Sequence, residues 1–109
     1  MSVVRELHSR ATPTAIVNAL DNELGHTKRV HGEEHQTSEG TVAIVVYEQY
    51  FTRVKNRIAL TIIADNLQGE TRVRIIASGA NMIFNINWGA AGSYASEAEG
   101  IINRLRGRG

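Results

Sequence analysis

The alternation of apolar and polar residues between positions 41 and 88 constrains this chain more than any other feature. Met82, Phe84, Ile86 and Trp88 share one side of a two-residue period, with Asn85 and Asn87 on the other. Ile58, Leu60, Ile62 and Ala64 repeat the pattern, and Val73, Ile75 and Ala77 alternate against Arg72, Arg74 and Ser78. Successive side chains of a strand point to opposite faces, so this period suits a sheet with one buried face and is of no use to a helix. Four strands are predicted, over residues 41–50, 57–64, 71–78 and 81–88. A hairpin that sets Ile62 beside Val73 and Leu60 beside Ile75 leaves residues 66–69 as its loop, and Gly79 with Ala80 closes the next.

The flanks read differently. Residues 3–8 form a short edge strand. Thr12 before Pro13 is an N-cap with proline at the first helical position, and Ile16, Val17, Leu20 and Leu24 recur at helical spacing up to Gly25, which is placed for a left-handed stop. A helix is expected over residues 13–24. Residues 28–37 make a polar strand that puts His31, Glu33 and His35 on one side. After Trp88, the run Gly89-Ala90-Ala91-Gly92 reads as a flexible break. Ser96 with Glu99 then forms a capping box for a helix from Ser93 or Ser96 to Arg106, with Tyr94, Ala98, Ile101, Ile102 and Leu105 on one face.

An antiparallel meander with an N-terminal and a C-terminal helix on one face is an α+β two-layer sandwich, similar in order to a short helix-grip domain. At 109 residues the chain is expected to be one domain, with its core in residues 12–106 and a frayed tail over 107–109. Absence of cysteine removes thiolate chemistry and disulfides, and the longest apolar run, Val42 to Tyr47, is far short of the ~20 residues of a membrane-spanning helix. Arg5 and Glu6 fall where a signal peptide would be apolar, so a cytoplasmic location is expected.

Val46-Tyr47-Glu48-Gln49-Tyr50, Asn56-Arg57-Ile58-Ala59-Leu60, and Ser78-Gly79 before an apolar stretch resemble a family of small uncharacterised proteins from Firmicute bacteria, over about residues 42–105. The resemblance implies this fold and a bacterial cytoplasmic setting; it carries no catalytic signature and no cofactor.

Nothing in the residues themselves names a reaction. Ser78, Ser93, His31 and Asp65 have the types needed for a hydrolytic triad, without a nucleophile elbow or any other local signature. Glu33 and Glu34 point to opposite sides of a strand, and Glu97 and Glu99 suit the first turn of a helix. His31, Glu33 and His35 have donors a metal can use, but convergent ligands normally come from more than one element, and no metal site is assigned. Arg53, Lys55, Arg57, Arg72 and Arg74, with Tyr47, Tyr50 and Phe51 nearby, are the candidates for anions or single-stranded nucleic acid, against a net charge of only +1.

Two non-enzymatic readings remain. Leu60, Ile75, Phe84, Ile86 and Trp88 could line an apolar ligand pocket between sheet and C-terminal helix, or they could simply be core. The stronger expectation is self-association. Val42 to Tyr47 are apolar on both sides of their strand, and Ile63 and Ile76 add to the side away from the core. An apolar patch at Val45, Tyr47, Ile63 and Ile76 with a charged rim is best buried in a homodimer.

Overall fold

The computed structural model describes residues 2–25, 27–79 and 88–106. Its elements run β1 (Ser2–Ser9), α1 (Pro13–Glu23), β2 (Lys28–Gln36), β3 (Thr41–Phe51), β4 (Asn56–Asp65), β5 (Thr71–Gly79) and α2 (Trp88–Arg106). The five strands form one antiparallel sheet in the order β1-β5-β4-β3-β2. Both helices pack against it, which makes the α+β architecture the alternation predicts.

The meander from β2 to β5 follows the chain, whereas β1 crosses to the far edge and pairs along β5 from Ser2↔Ser78 to Ser9↔Thr71. Helix α1 makes that crossover. Thr12 caps it by accepting from the Ala15 N–H at 3.1 Å, and Pro13 follows. Its end differs from expectation: Leu24 is extended, its N–H still bonded to the Leu20 carbonyl, and Gly25 is not left-handed. A left-handed glycine does occur at Gly40, which leads into β3. There Asn66 Oδ1 accepts from the Thr41 N–H at 2.7 Å, and a Cβ on Gly40 would meet that oxygen at 2.4 Å.

The β4–β5 register is two residues from the expected one: Ile62 lies opposite Ile75, Leu60 opposite Ala77, and Ala64 opposite Val73. A slip of two keeps every side chain on its expected face. The connection becomes residues 66–70, closed by the Gly69 N–H to the Asn66 carbonyl.

The core lies between the sheet's inner face and the helices. Val45, Tyr47, Ile58, Leu60, Ile62, Val73 and Ile75 meet Ile16 and Leu20 of α1 and Tyr94, Ile101 and Ile102 of α2. Alanines at 90, 91, 95 and 98 of α2, all fully buried, let that helix approach the strands closely.

Three expectations are corrected here. Val45 and Tyr47, expected on the exposed side, face the core with 0% and 1% exposure, because cross-strand pairing puts Val45 opposite Ile62 and Tyr47 opposite Leu60. Gly89 to Gly92 are not a break but lie in the opening turns of α2, where burial of Ala90 and Ala91 offsets the roughly 1 kcal/mol that each helical glycine costs. Ser96 and Glu99 are accordingly inside the helix. Trp88 opens that helix rather than ending a strand. The rest of the expected fourth strand, including Phe84 and Ile86, lies outside the described residues.

Candidate functional site

Alternation fixes what the other face of the sheet presents. The cross-strand registers place Val42, Ile44 and Val46 of β3, Ala59, Thr61 and Ile63 of β4, Ile76 of β5 and Val4 of β1 on the side away from both helices. Ile44 sits opposite Ile63, Val46 opposite Thr61, and Thr61 opposite Ile76, which continues to Val4, 62% exposed. None of these eight belongs to the buried core. Of the four residues expected in an interface, Ile63 and Ile76 are here, and Val45 and Tyr47 are not.

Charged residues rim this apolar centre. Glu6 and His8 of β1, Arg72 and Arg74 of β5 and Asp65 of β4 lie at one end. Arg72 Nε is 3.3 Å from Glu6, and Arg74 Nη2 is 3.7 Å from Asp65. The β2 edge carries His31, Glu33 and His35, opposite Val46, Ile44 and Val42 respectively. A bulge between Arg29 and His31 sets this phase, sending Arg29 to the helix side to meet Asp21 at 2.8 Å.

Each imidazole of that edge takes one oxygen of the same carboxylate: His31 Nε2 lies 3.0 Å and His35 Nε2 3.1 Å from Glu33. These hydrogen bonds hold the Glu33 carboxyl below its usual range. A carboxylate lowered in this way adds stability above its ordinary pKa, and that contribution is lost as pH falls through the lowered value. Among the described residues no group of three or more such side chains is arranged to hold a metal ion.

The other candidates do not converge. Arg57 pairs with Glu48 at 3.2 Å and lies over the Tyr50 ring at 5.9 Å, eight residues along β4 from Asp65, so about 26 Å separates it from Arg72. Arg53 reaches instead towards Gly89 of α2. The basic residues thus form no single track for a phosphate backbone. Ser78 and His31 are three strands apart, about 14 Å, and Ser93 is in α2 on the other side of the sheet. Leu60 and Ile75 are fully buried core residues. Among the described residues, two open clefts lie at the ends of the same face away from both helices: one of about 620 Å³ beside Tyr50, Asn56, Arg57 and Ser78, and one of about 350 Å³ beside His8, Asp65, Leu67 and Arg72.

The inner face carries its own polar pair. Tyr47 Oη donates to Asp21 Oδ1 at 2.5 Å, and Tyr94 Oη contacts the Thr27 hydroxyl. Burial, and then Asp21, raises the Tyr47 phenol well above its ordinary value, while burial pushes Tyr94 up to about 12. A phenol raised on folding contributes stability that is complete below the ordinary value of 10.0 and is lost as pH climbs through the raised one. Chemical denaturation monitored by circular dichroism should therefore give a constant free energy from pH 7 to about 9.5 and a decline between about 10 and 12. Tyr94→Phe should make that decline shallower.

Residues 1–106 match the model of a family of unknown function, DUF6054, and the chain belongs to that family. No curated protein and no solved structure matches it. Among the described residues no helix is long and apolar enough to cross a membrane.

Proposed function

We propose that the chain is a non-enzymatic interaction module of the bacterial cytoplasm that forms a homodimer through the open face of its sheet. One observation carries this reading: both helices lie on one side, leaving Val42, Ile44, Val46, Ile63, Ile76 and Val4 across the middle of the other. An apolar centre inside a charged rim is the anatomy of a protein interface.

A second copy fits better than a charged partner. Among the described strand residues, eight charged side chains mark the face: Lys28, Arg57, Arg72 and Arg74 against Glu6, Glu33, Glu48 and Asp65, with Lys55 and Glu70 of the turns adding one of each sign. Equal numbers of each leave it neutral, which suits contact with itself and gives a polyanion nothing to follow. Five strands about 4.8 Å apart and some eight residues long span roughly 600 Å², close to the ~800 Å² per partner of a standard interface. The resemblance to Firmicute proteins and the absence of cysteine support the bacterial cytoplasmic setting.

Light scattering at micromolar concentration tests the reading. The wild-type chain should show twice 12.0 kDa, and Ile63→Lys should show 12.0 kDa with its fold intact. A wild-type mass of one chain at every concentration sinks it.

A further inference from the structure

Three of the four histidines in the chain, His8, His31 and His35, fall on the open face of the sheet, all of them at its two edges. We propose that these histidines make the open face an acid-sensitive contact, closed between two copies near neutral pH and released in mild acid. The inference rests on the homodimer reading and adds the regulation of that same surface.

Imidazole is the side chain whose ordinary charge change falls between pH 5 and 8. With neutral histidines the strand residues of the face carry four positive and four negative groups. Protonating His8, His31 and His35 adds three positive charges per copy, so a balanced surface meets its twin as a cationic one. Like charges about 10 Å apart across two stacked sheets repel, and the rim is where they sit.

The neighbours of each histidine set how far the charge is offset. His31 and His35 share only Glu33, so that cluster passes from −1 to +1. The β3 residues opposite them, Val46 and Val42, bring no charge, and the nearest groups further along are Lys28 and Glu48, opposite one another. His8 lies 3.9 Å from Glu6, which also pairs with Arg72, and its cross-strand neighbour is Arg72 itself. Asp65, opposite Arg72 and paired with Arg74, and Glu70 share a cleft with His8, so protonation of His8 brings that end only to balance, and the excess of positive charge builds at the β2 edge around Glu33. Among the described residues, the side chains of α1 and α2 that join the core pack on the opposite face.

Sedimentation velocity at several concentrations, at pH 7.5 and pH 5.5, tests this with the wild-type chain and with the triple variant His8→Gln, His31→Gln, His35→Gln. The dimer dissociation constant of the wild type should rise about tenfold or more on acidification, while that of the triple variant should change less than about twofold. His26 remains in both chains and serves as an internal control. A wild-type constant equal at the two pH values overturns the switch, as does a triple variant that follows the wild type. Circular dichroism lost at pH 5.5 together with the dimer also overturns it, because unfolding would then carry the change. A chain that is monomeric at pH 7.5 refutes the homodimer itself, an outcome distinct from these.

Discussion

Val45→Lys should abolish folding, whereas Ile63→Lys, one strand away, should leave a folded chain whose melting curve is lowered only by the loss of its partner copy. Val45 is fully buried, opposite Ile62, beneath the helices. An ammonium there loses its hydration with no built partner, or loses its proton instead; either way the penalty is at least about 4 kcal/mol, a large fraction of the 5–15 kcal/mol typical of a domain. Ile63 belongs to the uncovered face, beside Ile44, and its replacement by lysine can extend into water. Circular dichroism melts of the two variants, side by side, read which way each strand faces. Equal destabilisation would refute the inner and outer assignment of the sheet.

The second large effect is expected at Leu60. Truncation to Ala should lower stability by about 2–5 kcal/mol and the melting temperature by about 10–20 °C. Leu60 is fully buried in the cluster shared by β4, β5 and both helices, so removing its three carbons forfeits both transfer energy and packing contacts. Were it instead the wall of a ligand cavity, part of its surface would already lack protein neighbours and the loss would be smaller. A drop below about 1 kcal/mol in thermal or urea denaturation would revive the pocket reading for Leu60 and Ile75.

These two sites also show where the sequence speaks and where it is silent. Ile58, Leu60, Ile62 and Ala64 alternate with more polar neighbours over most of β4, so their common face was readable from the residues alone. Val42 to Tyr47 gave no phase, because an unbroken apolar run looks the same from either side; only pairing with β4 decides that Val45 turns inward and Ile44 outward. The β4–β5 register slipped by two residues without moving any side chain between faces, since alternation fixes parity and leaves the turn length free. Gly89 and Gly92 misled for another reason. Local propensity disfavours them in a helix, and the burial of Ala90 and Ala91 that overrides it is a long-range effect. The open face is half visible: alternation along β4 and β5 puts Ile63 and Ile76 on the side away from Ile62 and Ile75, but that His8 stands at the same face as His31 and His35 follows only from β1 lying beyond β5.

That position of β1 has a bearing on how the chain reaches its fold. Strands β2 to β5 join through short turns, so three hairpins can form by closing small loops. Strand β1 has no such route: Ser2 must find Ser78 far along the chain, and during synthesis β1 waits for β5 to be made. Until it docks, the backbone donors and acceptors of β5 from Thr71 to Ser78 stay unpaired on one side, and the inner apolar row Val73, Ile75 and Ala77 lacks its neighbours Leu7 and Val3. The segment most exposed to mispairing on a ribosome is thus the edge of β5, and a nascent chain is vulnerable there for as long as its own beginning stays undocked.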